Sequence, residues 1–260
     1  MNPDNREMWE SISKGLPQTP SPYKTLPLPE LLKVLNFLLH ETVEKFDTAM
    51  DILDIISTLR DDIEFLNFKA MVEYQCKKYL RSFETSERIL KLNKNHNTLF
   101  NAGRAAYKAN KLRHSETYLK QAMELDPEDS STILDYAVTI CTMGDFEGAL
   151  NIINNIDKSK LDELHAKIVD FNKGWHTIRI GNFKRGMQLL HIGREIGMLG
   201  NHKKTYTKPE WDGTTHLGKT IYIVGEAGIG DEVINARFSK IIKERGMRCV
   251  MSTVHKNVSM

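Results

Sequence analysis

Asn110-Lys-Leu-Arg-His-Ser-Glu-Thr-Tyr-Leu-Lys-Gln-Ala-Met-Glu-Leu-Asp-Pro127 decides the fold. It opens on a short polar-to-apolar triplet, carries the small Ser115 inside an amphipathic pattern, and stops at a proline. Proline breaks a helix interior by removing a donor and clashing with the preceding turn, so Met123–Asp129 reads as a helix end followed by a restart. The triplet recurs as Glu44-Lys45-Phe46, Lys77-Lys78-Tyr79, Asn110-Lys111-Leu112, Gly144-Asp145-Phe146 and Gly181-Asn182-Phe183, at intervals of 33, 33, 34 and 37 residues. Five positions after each start stands a small residue: Ala49, Ser82, Ser115, Ala149 or Gly186. Nine after stands Leu53, Ser86, Leu119, Ile153 or Leu190, and twelve after stands Ile56, Ile89, Ala122, Ile156 or Gly193. Seven before stands Phe37, Ala70, Gly103, Ala137 or Gly174. The pattern predicts two antiparallel helices joined by the triplet. Small residues on both let the axes approach, and larger apolar residues fill the space toward the next pair. One pair cannot bury its own face; stacked pairs can, which predicts an α-solenoid.

Proline placement sets the boundaries. Pro3, Pro17, Pro20, Pro22, Pro27 and Pro29 punctuate the first segment, and Pro127 is the one proline between residues 30 and 208. Residues 1–29 therefore read as a Pro-rich N-terminal arm, 30–200 as helical repeats, and 201–260 as a linker and an α/β segment. The chain has 260 residues, 40% hydrophobic, with a net charge of +2. That balance argues against nucleic acid as the main partner. No apolar run approaches the ~20 residues of a membrane helix, so no membrane partner is expected. The first residues, MNPDNREMWE, lack the basic flank and apolar core of a signal peptide. Cys76, Cys141 and Cys249 are odd in number and far apart, which suggests reduced thiols and a cytoplasmic setting. The nine histidines show no metal-ligand spacing, so no metal is expected. His202, Lys203, Lys204 and Lys208 read as a solvated basic linker.

The architecture changes near residue 219. Thr220-Ile-Tyr-Ile-Val224 reads as a buried strand, Glu226-Ala-Gly-Ile-Gly-Asp231 as a turn, and a helix is expected from about Asp231. Val233, Ile234, Phe238, Ile241 and Ile242 are its expected apolar face, Gly246 its end, and Cys249–Val254 the next strand, reached by a parallel crossover. Gly228 and Gly230 would permit positive φ and close approach of a ligand. A phosphate cradle of the lysine type fails because position 231 is Asp, and a dinucleotide turn lacks a third glycine because position 233 is Val. Asp231 has two readings from the residues alone: a helix cap, or a general base for an acceptor hydroxyl.

Two resemblances add to this. The period, the small residues and Tyr118–Pro127 resemble tetratricopeptide repeats, with Leu99 and Ile133 where the usual tryptophan stands. The resemblance implies a groove that binds a protein or peptide. Trp211-Asp-Gly, Leu217-Gly-Lys-Thr, Glu226-Ala-Gly-Ile-Gly-Asp231 and Ala236-Arg237-Phe238 resemble the entrance of a heptosyltransferase-like, two-Rossmann (GT-B) domain, and Phe171-Asn-Lys-Gly-Trp175 resembles the repeat that precedes it. That family implies Asp231 as catalytic base and a nucleotide-sugar donor held on a second domain. Ala227 stands where relatives carry glutamine. The resemblance therefore implies a mainly α protein: a tetratricopeptide-like solenoid followed by an incomplete Rossmann-like βαβ segment, truncated, with no cofactor of its own. Transfer is expected only in a full-length form. The alternative is a non-catalytic scaffold that binds a peptide or protein partner.

Overall fold

The computed structural model describes residues 23, 25–39, 46–198, 208–224 and 229–252, without the side chains of Asn36, Phe37, Leu39, Phe46, Ile229, Asp231 and Ser252. Of the expected N-terminal arm, residues 1–22 and 24 lie outside them. Contacts divide the chain into two units, Met1–Asp126 and Pro127–Met260.

Unit 1 holds α1 (Leu28–Leu39), α2 (Phe46–Ser57), α3 (Ile63–Gln75), α4 (Tyr79–Leu92), α5 (His96–Lys108) and α6 (Leu112–Leu125). They pack as the hairpins α1/α2, α3/α4 and α5/α6, with α4 also against α5. Unit 2 holds α7 (Ser130–Thr142), α8 (Phe146–Asn154), a 3-10 turn at Lys158–Lys160, α9 (Glu163–Arg179), α10 (Phe183–Leu190) and α11 (Ile192–Glu195). It continues with β1 (Thr220–Val224), α12 (Ile229–Ala236), α13 (Phe238–Glu244) and β2 (Arg248–Ser252). Hairpins α7/α8 and α9/α10 repeat the unit 1 arrangement.

The triplets are the hairpin turns. Lys77, Asn110, Gly144 and Gly181, the first residue of four triplets, all have positive φ. At each, the next amide closes a wide turn onto the helix end: Lys78 N–H to Glu73 O, Lys111 to Ala106, Asp145 to Ile140 and Asn182 to Thr177. This left-handed cap satisfies carbonyls that the helix leaves open and reverses the chain. Glu44 and Lys45 of the first triplet lie outside the described residues. Helix starts are capped as well: Asp62, Asn95, Asp129, Asp145, Asp162 and Asn182 each accept a first-turn amide. Such caps contribute about 1 kcal/mol each.

Between the hairpin helices sit the small residues. Ser82 donates its hydroxyl to the Ala70 carbonyl at 2.8 Å, which ties α4 to α3. A Cβ on Gly103 would lie 2.5 Å from Leu119 Cγ, and one on Gly186 would lie 2.9 Å from the Gly174 carbonyl oxygen. The helices approach closely because these side chains are absent or short. Leu53, Leu119, Ile153 and Leu190 are all buried.

β1 and β2 pair in parallel, with Tyr222 opposite Val250. The strand–helix–strand order of 220–252 is present, but several details differ from expectation. β1 is half-exposed rather than buried, because a two-stranded sheet has no second layer to cover it. The crossover is two helices, α12 and α13, meeting at Arg237. Val233, Ile234, Phe238 and Ile241 are exposed, and Ile242 alone of the expected apolar face is buried. Gly246 ends α13 with φ +73°, as expected.

Candidate functional site

Unit 1 contains a cavity of about 460 Å³ between α3 and α5, with α4 beneath it. The hairpin geometry makes it. Asn67, Met71, Tyr74 and Gln75 follow the i, i+4, i+7, i+8 spacing, so α3 turns one face to the cavity. Thr98, Asn101 and Arg104 form the α5 wall, and Ala70, Ser82, Ser86 and Ile89 lie deepest. Met71 is 48% exposed, which is high for a large apolar side chain and marks the mouth.

The polar groups are positioned by the helices. Asn67 donates its amide to the Ile63 carbonyl at 2.8 Å, leaving its own carbonyl oxygen as an acceptor. Thr98 completes the capping box of α5 with Asn95. The Arg104 guanidinium carbon sits 5.5 Å from the Tyr74 ring centre and 5.4 Å from that of Phe100. Two aromatic faces thus hold the cation by attraction to their π electrons. Arg104 is the one charged residue lining the cavity among the described residues.

Behind the groove lies a buried ionic network. Glu73, 1% exposed, accepts from Thr85 Oγ1 at 2.7 Å and Arg81 Nε at 3.3 Å. Arg81 also binds Asp54 of α2, so one guanidinium joins α2, α3 and α4. Burial pushes the Glu73 carboxyl above the usual range, opposed by the Thr85 hydrogen bond and by the charges of Lys69 and Arg81. Lys78–Asp47 and Arg88–Asp61 tie the same layer at the surface. Tyr118 of α6 donates to Glu87 of α4 at 2.9 Å, and its phenol is pushed up to about 12, first by burial and then by Glu87.

Unit 2 carries the Glu226–Asp231 segment. Gly228 lies outside the described residues, and so does the side chain of Asp231. The backbone of Asp231 is the third residue of α12, which starts at Ile229, so it stands within the first turn and not at the cap. Gly230 is helical, without positive φ, because the helix begins two residues earlier than expected. Its neighbour Glu232 is buried at 1% exposure, a carboxylate that the sequence reading passed over. Trp211-Asp-Gly forms a local turn: Trp211 Nε1 donates to the Thr214 carbonyl at 2.7 Å, and Asp212 accepts from the Thr214 amide at 2.9 Å. Arg245 reaches the Gly213 carbonyl at 3.2 Å, which ties this turn to the end of α13. Trp175 of α9 is 46% exposed, with its ring edge-on to Phe171 of the same helix.

The groove residues Asn67, Met71, Asn101 and Arg104 escaped the sequence reading, which followed the small and apolar positions that repeat. One signal was on the page: Ser86 stands where every other unit has leucine or isoleucine. Among the described residues no cluster of His, Cys, Asp or Glu could hold a metal, and no helix is long and apolar enough to cross a membrane.

Neither a protein-family model nor a curated protein matches the chain. Among solved structures it is similar to YrrB, a tetratricopeptide-repeat protein with an unusual peptide-binding site. The identity is 16% over 72% of this chain and 91% of that one, with a TM-score of 0.46. It is also similar to MamA, at 13% identity over 59% of this chain and 90% of that one, TM-score 0.47. A MamA from Desulfovibrio magneticus RS-1 gives 14% identity over 65% and 96%, TM-score 0.49. At such levels the chain's own geometry carries the functional reading.

Proposed function

We infer that the chain is a protein-interaction module whose hairpins α3–α5 bind an extended peptide. The observation that carries this is the open cavity between two repeated helices, with carboxamides and a cation on its walls and small side chains at its base. Asn67, Gln75 and Asn101 suit the donors and acceptors of a peptide backbone, and Met71 gives an adaptable apolar contact. A cleft of this size lies within the ~300–1,000 Å³ usual for ligand sites. The test is panning of a random peptide library on the full chain, followed by affinity measurement. Asn101→Ala and Met71→Asp should each weaken the selected peptides about tenfold or more, with an unchanged circular dichroism spectrum. Unaltered affinity in both variants would refute the reading.

A second reading rests on the parallel pairing of β1 with β2 and on the Gly-Ile-Gly-Asp sequence between them. It takes residues 201–260 as the start of a heptosyltransferase-like domain, with Gly228 and Gly230 near the ligand and Asp231 as general base. A further domain would supply the nucleotide-sugar donor, and the repeats would present the acceptor. Expression together with such a donor domain should give sugar transfer that Asp231→Asn lowers by at least about 100-fold. Transfer indifferent to Asp231→Asn would dismiss the assignment.

A further inference from the structure

Resting on the peptide reading of the groove, we propose that Ser86 makes a socket for one branched aliphatic side chain of the bound peptide. The argument is the repeat register. In the α5/α6 and α9/α10 hairpins the residue seven before the triplet meets the residue nine after it across the space between the two helices. Gly103 meets Leu119, whose Cγ would be 2.5 Å from an added Cβ. Gly174 meets Leu190, whose Cδ2 would be 3.0 Å away. Ala137 and Ile153 lie in one buried cluster. Each of these pairs combines a small residue with a large aliphatic one. The α3/α4 hairpin breaks the rule: Ala70 and Ser86 stand at these two positions, and both are small. The cavity of about 460 Å³ is found at this hairpin, with both residues in its lining.

The chemistry of the base selects the occupant. Ser86 donates its hydroxyl to the Ser82 carbonyl at 2.8 Å, and Ser82 donates to the Ala70 carbonyl at 2.8 Å. Both hydroxyl protons are therefore committed, and no free donor from these serines greets a polar guest. Around them stand the Ala70 methyl and Ile89, with Met71 at the mouth. The missing group is of the kind that fills the space in the other hairpins: a leucine or isoleucine side chain, brought here by the partner. Ser86 is thus a specificity-determining residue, and the α7/α8 hairpin, with Ala137 and Ile153 at these positions in one buried cluster, already accommodates the isoleucine–alanine combination.

The experiment has two arms on the full chain. In the first, isobutanol, a probe of the leucine end-group, is titrated into protein labelled with ¹³C at isoleucine and methionine methyls. The Ile89 and Met71 signals should shift saturably. Ser86→Ile should abolish the shifts without lowering the melting temperature, while Ser86→Ala, which leaves the space open, should keep them. Ser86→Val serves if the isoleucine variant does not fold. In the second, peptides selected on the parent chain should share a leucine, isoleucine or valine. Its replacement by alanine should cost about tenfold or more in affinity, and Ser86→Ile should cost as much. The two changes together should cost no more than either alone. A chain that takes isobutanol at Ile89 but no peptide keeps the socket and overturns the peptide reading. A chain whose peptide affinity is the same before and after Ser86→Ile overturns the socket, as do Ile89 signals that isobutanol does not move.

Discussion

Gly186→Ala should destabilise unit 2, although it replaces a helical glycine by the best helix former. The added Cβ would lie 2.4 Å from Ile178 Cγ1, 2.9 Å from the Gly174 carbonyl oxygen and 3.0 Å from the Ile178 amide nitrogen. Ile178 can turn its side chain away. The two backbone atoms cannot yield without separating α9 from α10. Overpacking of this kind costs about 3 kcal/mol at the upper end of its usual range. Alanine returns about 1 kcal/mol of helix propensity. The net loss is about 2 kcal/mol, or roughly 6–8 °C in the melting temperature of a unit of this size. Gly230→Ala is the internal control. It is helical too, and an added Cβ meets nothing within 4 Å. It should gain up to about 1 kcal/mol. The assay is thermal unfolding followed by tryptophan fluorescence, since Trp175 and Trp211 both belong to unit 2. A Gly186→Ala variant as stable as the parent, or a Gly230→Ala variant equally damaged, would refute the close approach of the two helices.

Other outcomes follow from the same geometry. Lys77 holds a left-handed conformation, φ 59°, which costs a non-glycine residue about 1–2 kcal/mol. Lys77→Gly should relieve it, offset partly by chain entropy, and raise the urea midpoint by the equivalent of about 0.5–1 kcal/mol. His176 is 4% exposed, and burial, then the charge of Arg179, lowers its pKa from 6.5 to about 4. The unfolded chain then binds the proton first, so this group's stabilisation is whole above pH 6.5 and drains as pH falls toward 4. Unfolding titrations at pH 7 and 5 should show the loss, and His176→Gln should remove that part of the slope. Cys76 and Cys141 are buried, with thiols pushed up by burial, whereas Cys249 is half-buried. A thiol reagent at pH 7 should modify Cys249 first and reach the other two upon unfolding.

Legibility in the sequence differed by the kind of position. The hairpin turns were visible because a left-handed cap favours residues such as the Gly144 and Gly181 that open two of the triplets. The small positions were visible because close helix axes admit nothing larger, as Gly103 and Gly186 show. Helix starts were less so: Gly-Ile-Gly before Asp231 reads as a turn, yet α12 already begins at Ile229. Burial of Thr220–Val224 was misjudged for a different reason. An apolar strand is buried only when other layers cover it, and that depends on what surrounds the segment rather than on its own composition. The groove walls were the hardest to see. Asn67, Asn101 and Arg104 face outward, where no packing rule restricts residue type, so only the hairpin geometry brings them together. Ser86 lies between these cases. It broke a pattern that was in plain view, but a missing side chain shows its meaning only once the space around it is known.

The central claim is that α3, α4 and α5 form the groove that receives the partner. Hydrogen exchange of the full chain, with and without a saturating library-selected peptide, tests it most directly. The account predicts new protection within residues 63–108, centred on α3 and α5, and none in 220–252. Protection confined to 220–252, or absent from 63–108 while the peptide is bound, would contradict it.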